Sequence, residues 1–339
     1  MNPRVAVLGA TGLVGRTALR ILEERQLPLS ELRLLASERS AERMLTFAGR
    51  ELSVRAVGDD AFADLDLAIF ACANEVSRRW APVARAAGVR VVDNSSAFRY
   101  DDAIPLVVPE VNGTLLDAAP GLVANPNCST IAIVMALAPL HLAAGLERVD
   151  VATYQSASGG GSGPLAELES GVRAGLEGDP PPRADGGAPF AFNVVPQIDR
   201  FEDNGWTREE MKVVWETRKI LDLPRLPVSA TAVRVPVRVG HAAAIRATFA
   251  RPLTPEEARE RWSGFPGLVV ADDPAARRYP TPLEAAGRDE VFVGRARADL
   301  ADRRSLLFFV ASDNLRKGAA TNAVQIAERL LAARPAEAR

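Results

Sequence analysis

Cysteine occurs only twice in 339 residues, at Cys72 and Cys128, and histidine only twice, at His141 and His241. Two cysteines cannot staple a domain, so a disulfide framework is excluded and the cytoplasm is the expected location. No metal centre is expected. Lysine stands only at Lys212, Lys219 and Lys317, so nearly all of the 41 basic residues are arginine. No apolar run reaches membrane-spanning length, since Ile131–Leu142 is short and contains Pro139. The opening "MNPRVAVLGATG" lacks the basic, apolar and cleavage-site pattern of a signal peptide. A net charge of -2 leaves no electrostatic footprint for nucleic acid or an anionic membrane.

What the chain does contain is a change of grammar near its middle. "RVAVLG" (4–9), "LRLLAS" (32–37), "DLAIFAC" (66–72), "RVVDNS" (90–95) and "GLVAN" (121–125) are short, almost continuously apolar runs. Helical patterns at 13–25 and 75–87 separate them, which predicts a doubly wound parallel sheet of Rossmann type. Beyond Cys128, the segments 149–158, 230–237, 241–250, 290–298 and 305–312 predict an α+β domain built on a mostly antiparallel sheet. Thr207 with Glu210, and Thr254 with Glu257, have the spacing of capping boxes at helix starts. "GDPPPRADGGAP" (178–189) reads as an exposed loop or inter-subunit arm. The expected division is 1–127, joined by a C-terminal helix over 313–334, against 128–312.

"VAVLGATGLVG" is strand, glycine turn and helix start. Gly9, Gly12 and Gly15 let the backbone turn sharply and approach a pyrophosphate at the helix N-terminus. At the end of the second strand, Ser37 and Arg39 favour the 2′-phosphate of NADP, whereas an inward Glu38 would favour NAD.

"ANPNCSTIAIVMALAPLH" (124–141) delivers Cys128 through an Asn-Pro-Asn turn to the start of an apolar helix, where unpaired N–H groups favour a thiolate. Cys72, ending a buried strand, suits a small core side chain instead. A thiolate attacking a carbonyl needs a proton-handling partner. His141 lies thirteen residues along the same helix, roughly 20 Å away, and suits its C-terminal end. His241 is the remaining histidine. It follows Arg234 by seven positions, so an unbroken strand would place the two on opposite faces. An irregularity at Pro236 or Gly240 is therefore expected.

Taken in order, "GATGLVG", "DNSSAFR" (93–99), "NPNCST" (125–130), "QSASGGG" (155–161), "NVVPQID" (193–199), "ETRKIL" (216–221), "VRVPVRVGH" (233–241) and "SDNLRKGAA" (312–320) resemble the aspartate-semialdehyde dehydrogenases along essentially the whole chain. The resemblance implies that Cys128 is the nucleophile, His241 the acid/base and Gln155 the residue orienting the tetrahedral intermediate. It implies that Arg234 binds the substrate α-carboxylate and Glu216 its amino group. Arg99, Lys219 and either Asn94 or Ser96 would bind the phosphate or acyl phosphate, and Asn127 the substrate. Gly9, Thr11, Gly12, Leu13, Val14, Gly15, Ser37, Arg39, Ser158, Gly159 and Asn314 would line the NADP site. The implied reaction is the reversible, NADPH-dependent reduction of L-4-aspartyl phosphate to L-aspartate 4-semialdehyde through a cysteine thioester. It feeds lysine, threonine, methionine and diaminopimelate synthesis, in a homodimer or homotetramer.

Rival readings are an N-acetyl-glutamyl-phosphate reductase-like enzyme and a non-catalytic dinucleotide-binding paralogue. The S-C-T-T-N-C stretch of glyceraldehyde-phosphate dehydrogenases is absent, as is the Tyr-x-x-x-Lys of short-chain reductases.

Overall fold

A computed structural model describes residues 2–181 and 187–333, and the chain divides into two compact units, Met1–Asn127 with Ala319–Arg339, and Cys128–Gly318. In the first unit the apolar runs become β1 (Arg4–Leu8), β2 (Glu31–Ala36), β3 (Met44–Phe47), β4 (Arg50–Ala56), β5 (Leu67–Phe70), β6 (Arg90–Asp93) and β7 (Leu122–Ala124). They order as β3-β4-β2-β1-β5-β6-β7, parallel except for the β3–β4 hairpin at one edge. Chain direction through the sheet reverses at β1, which pairs with β2 on one side and β5 on the other. Open sheets of this kind bind ligands at that switch point.

Alternation along each strand supplies both faces with core. Val5, Val7, Leu34, Ile69 and Val92 pack with the helix Leu13–Glu24 and the C-terminal helix Thr321–Ala332. Ala6, Leu8, Leu35, Ala68 and Phe70 pack on the opposite side with Phe62 and with Trp80 of the helix Asn74–Ala86. Val324, Ile326 and Leu330 of the C-terminal helix are fully buried. Their burial contributes about 5–9 kcal/mol, as much as the net stability of a typical domain, so this unit is incomplete without its last helix.

The second unit holds β8 (Leu146–Gln155), β9 (Val228–Arg234), β10 (His241–Phe249), β11 (Leu268–Val270), β12 (Val291–Ala298) and β13 (Ser305–Ser312). Their order is β11-β12-β13-β10-β8-β9, with parallel pairs only at the two edges. The helix Cys128–Ala144 packs across this sheet between the helices Arg208–Ile220 and Pro255–Ser263. It is apolar around nearly its whole circumference, as a helix covered on all sides must be. Pro139 removes one backbone donor from it, and Trp262, itself fully buried, donates Nε1–H to the Ala136 carbonyl nearby. Both expected capping boxes form, at Thr207–Glu210 and Thr254–Glu257.

Several expectations need correction. The edge hairpin β3–β4, the short β11 and the helix Ser162–Glu177 were not foreseen. Residues 313–318, expected in the first domain, fall in the second unit. The final α-helix starts only at Thr321, because Asp313–Ala320 form a capped turn and one wide π-type turn held by Asp313. Residues 182–186 of the expected loop and position 334 of the expected helix lie outside the described residues. No described helix is long and apolar enough to cross a membrane.

Candidate active site

The first unit contains the phosphate-binding turn. Gly9 leaves β1 at φ +87°, and its N–H bonds the Leu35 carbonyl of the neighbouring strand. A β-carbon here would lie 2.2 Å from the Ala71 carbonyl oxygen, and one on Gly15 would lie 2.1 Å from the Gly9 oxygen. Only glycine permits this approach of strand to helix. Gly12 is the N-cap of the helix Leu13–Glu24, and no side chain caps it among the described residues. The first-turn N–H groups, beside Thr11, Leu13 and Val14, therefore suit an anion. Ser37, Glu38 and Arg39 are all exposed just beyond β2. The cradle fits a dinucleotide.

The turn after β6 in the same unit is fixed from below. Buried Asp93 accepts from the Ser77 hydroxyl (2.7 Å), the Ser95 hydroxyl (2.7 Å) and the Ser95 N–H (3.1 Å). Asn94 donates to the Phe70 carbonyl and accepts from Asn125, which in turn accepts from Asn322. The Ser96 hydroxyl reaches Asn74. These bonds tie Asn94 and Ser96 to the neighbouring segments at Phe70, Asn74 and Asn125. What the turn presents is Arg99, buried and bonded through Nη2 to the Asn94 carbonyl at 2.7 Å.

In the second unit, one row across the sheet carries the chemistry. Gln155 pairs with Arg234 across β8–β9. The β8–β10 register pairs Tyr154 with Ala242, which puts His241 opposite Gln155, and His241 pairs with Ser312 on β13. Arg234, Gln155, His241 and Ser312 are all buried. The expected irregularity is present but larger than a bulge. Pro236 ends the ladder, residues 235–240 leave the sheet, Gly240 turns at φ +96°, and β10 enters on the far side of β8. Arg234 and His241 thereby occupy different strands and share a face.

Cys128 is the first residue of its helix and is partly buried. Arg234 lies in the field of its sulfur, and the Arg234 side chain donates to the Ser156 carbonyl at 2.6 Å. Burial pulls the Arg234 guanidinium below its ordinary value, against the opposing pull of Cys128 and Glu209. The three-residue run Ser156–Ser158 passes over the row and enters a short turn, Ala157–Gly160. A β-carbon on Gly159 would lie 2.8 Å from His241 Nε2 and 3.1 Å from Arg234 Nη1, so the bare backbone at Gly159 leaves the ring and the guanidinium open to one space. Burial, reinforced by Arg234, pushes the His241 imidazole down to about 3, with Glu209 and the Gly240 backbone acting in the opposite sense. The ring is therefore neutral near pH 7.

Asn314 ties the same region together. Its Oδ1 accepts from the Gly240 N–H (2.9 Å) and from the hydroxyls of Ser156 (3.1 Å) and Ser158 (3.2 Å). His141, by contrast, closes the far end of the Cys128 helix, accepting the Leu146 N–H at Nδ1.

A carboxylate against this row is Glu209. Gln155 donates to Glu209 Oε1 at 3.2 Å, and Glu209 pairs with Lys212 at 3.0 Å. Burial would depress the Lys212 ammonium, but Glu209 and Asp199 outweigh it and lift it above its ordinary value. Glu216 is fully buried two helical turns further along, and Lys219 is half-buried beside it. Asn127 is buried immediately before Cys128.

Known proteins share the sequence and the fold of this chain. Residues 4–119 match the family described as semialdehyde dehydrogenase, NAD binding domain, and residues 137–317 match semialdehyde dehydrogenase, dimerisation domain. The chain is 48% identical to the aspartate-semialdehyde dehydrogenase of Aquifex aeolicus over 98% of both chains. It is 49% identical to that of Legionella pneumophila over 96% of this chain and 94% of the relative. A crystal structure of aspartate semialdehyde dehydrogenase II from Vibrio cholerae, complexed with ASA, superposes with a TM-score of 0.94 at 44% identity, covering 98% of this chain and 99% of that one. A Candida albicans aspartate semialdehyde dehydrogenase with NADP gives 0.76 at 26% identity, covering 98% and 99%.

Proposed function

The chain belongs to the aspartate-semialdehyde dehydrogenase family, and on that footing we propose that it reduces L-4-aspartyl phosphate to L-aspartate 4-semialdehyde with release of phosphate, reversibly and with NADP as cofactor. The observation that carries this reading is the row Arg234–Gln155–His241 laid beside a cysteine at a helix N-terminus. A nucleophile at a helix start stands beside a carboxylate-binding fork and an imidazole that share one face of one sheet.

Each substrate group has a counterpart. Cys128 attacks the acyl carbon. Arg234 takes the α-carboxylate, since its planar fork matches it bidentately. Glu216, buried on the helix Arg208–Ile220, takes the ammonium, while Glu209 on the same helix bonds Gln155 and lies in the field of Arg234. Gln155 orients the adduct, and His241 faces the oxygen that becomes negative. Arg99 and Lys219 are the cations for the phosphate, whereas Lys212 is engaged by Asp199 and Glu209.

Met1–Asn127 with the C-terminal helix acts as the NADP-binding domain, through Gly9, Thr11, Gly12, Leu13, Val14 and Gly15, with Ser37 and Arg39 for the 2′-phosphate. Ser158 and Gly159 serve the nicotinamide end. When bound, the nicotinamide supplies the hydride. Cys128–Gly318 acts as the catalytic and dimerisation domain of a homo-oligomer. Two cysteines, neither in a disulfide, suit the cytoplasm.

The test is phosphate-dependent reduction of NADP by aspartate semialdehyde, with NAD run in parallel. Wild-type turnover that Cys128→Ala abolishes supports the reading. An inert wild-type enzyme overturns it, and a clear preference for NAD overturns the assignment of Ser37 and Arg39.

A further inference from the structure

Two neighbouring carboxylates in the first turn of the helix Arg208–Ile220 serve different strands. Glu210 closes the capping box and accepts the Ala232 N–H of β9 at 3.0 Å, which fastens the helix to the sheet. Glu209 is buried and accepts from Gln155 Nε2 of β8 at 3.2 Å. Its other oxygen is held by Lys212 at 3.0 Å, and Lys212 is held in turn by Asp199 at 2.9 Å. Asp199 closes the segment "NVVPQID", whose Val195 exchanges two backbone bonds with Arg234, of 2.8 and 2.9 Å. The ionic chain Asp199–Lys212–Glu209 therefore runs from the segment beside Arg234 to the carboxamide of Gln155.

That chain gives the carboxamide a direction. A carboxylate only accepts, so the end of Gln155 that meets Glu209 is the NH2 group, and turning the amide over would set oxygen against oxygen. Nε2 also reaches the Thr153 hydroxyl at 3.3 Å, on the same face of β8. An ionised acceptor makes such a bond roughly twice as strong as a neutral one. The first turn of a helix favours the anion, and Lys212 favours it further. Without that ammonium a buried carboxyl takes up a proton, and its O–H suits the oxygen end of Gln155 as well as its carbonyl suits the NH2 end. Stability alone does not account for the pair, since the desolvation of two largely buried charges offsets their attraction.

We infer that Glu209 is a positioning residue for this reaction: with Lys212 and Asp199 behind it, its carboxylate holds the Gln155 carboxamide in one of its two flipped states, so that the adduct on Cys128 always meets the same end of that side chain. The inference rests on the functional reading above and adds to it a residue that acts through Gln155. Glu209 also lies in the field of Arg234 and His241. Action through the carboxamide and action through charge separate in a double-mutant cycle.

The test is that cycle, run in the phosphate-dependent NADP assay with thermal melts alongside. Glu209→Gln can turn either end to Gln155 and should lower kcat roughly 10–100-fold, as for misplaced reacting groups, while KM for aspartate semialdehyde stays within about threefold of wild type. In a Gln155→Ala background the same substitution should cost less than about threefold, because the group it acts through is gone. Lys212→Met should reproduce the Glu209→Gln loss, and Lys212→Arg, which keeps the charge, should recover most of it. An equal loss in both backgrounds overturns the inference, since Glu209 would then act without Gln155, and so does a wild-type kcat in Glu209→Gln. If Glu209→Gln does not fold, Lys212→Met against Gln155→Ala completes the cycle with the same two outcomes. An inert wild-type enzyme removes the functional reading instead, so the two failures are distinct.

Discussion

His241 Nε2 lies 2.8 Å from the point a β-carbon on Gly159 would occupy, closer than real β-carbon contacts come. Because Arg234 Nη1 stands 3.1 Å from the same point, one methyl group would displace both the ring and the carboxylate fork. Gly159→Ala is expected to lower kcat/KM by at least 10²-fold, in line with the cost of misplacing groups by about 1 Å. Its urea midpoint should stay within the small range of a surface-turn substitution. Steady-state kinetics beside an unfolding curve checks both halves.

Gly9→Ala should act in the opposite way, on the fold as well as on the ligand. The substitution meets a backbone oxygen at 2.2 Å and a φ of +87°, neither of which can yield cheaply. A loss of about 2 kcal/mol or more and a collapse of NADP affinity are expected. Gly12→Ala, whose nearest neighbour would be the Gly9 oxygen at 3.4 Å, should be much milder for the fold. Thermal melts with and without NADP separate the two.

Glu216→Gln should raise KM for aspartate semialdehyde by more than tenfold, because a charge-assisted bond to the ammonium is lost. It should also erase the preference for this substrate over succinic semialdehyde, which lacks the amino group. Glu209→Gln should leave that preference intact. Measuring both aldehydes with both variants checks the assignment, and the reverse pattern would assign the ammonium to Glu209.

The buried His241 ring makes stability depend on pH. The unfolded chain protonates it below its ordinary value of 6.5, whereas the folded chain holds it neutral down to about 3. The unfolded state therefore binds more protons in that window. Stability from this group is complete above pH 6.5 and falls by about 1.4 kcal/mol for each unit toward pH 3. His241→Gln removes this contribution, so its urea midpoint should fall less steeply between pH 6.5 and 4.5 than that of the wild type.

Legibility in the sequence followed burial. The strands β1, β2, β5, β6 and β7 are covered on both faces, so their apolar runs were continuous and plain. The β3–β4 hairpin is half exposed, with Arg50, Glu51, Ser53 and Arg55 interrupting it, and left no such run. The helix Ser162–Glu177 begins inside a glycine- and serine-rich stretch that masks its start. Cys128, Gln155, Arg234 and His241 stood out as motif residues. Glu209 did not, because one helix carries two Glu-x-x-Lys pairs seven residues apart, Glu209/Lys212 and Glu216/Lys219. Seven residues is nearly two full turns, so both pairs share a face and helical period alone cannot rank them. The contact of Glu209 with Gln155 is a tertiary fact that no sequence pattern announces. The crossing of β10 to the far side of β8 was hidden for a similar reason, since Pro236 and Gly240 announce a break but not where the chain goes next.

The helix Thr321–Ala332 closes one face of a sheet whose strands were laid down within the first 127 residues. During synthesis that face stays open while all of Cys128–Gly318 is translated, and the intervening unit, being continuous, can collapse first. The nucleotide-binding half is thus the last to mature on the ribosome, although its strands are the first to emerge, and a chain that lost Thr321–Ala332 would leave that face unsealed.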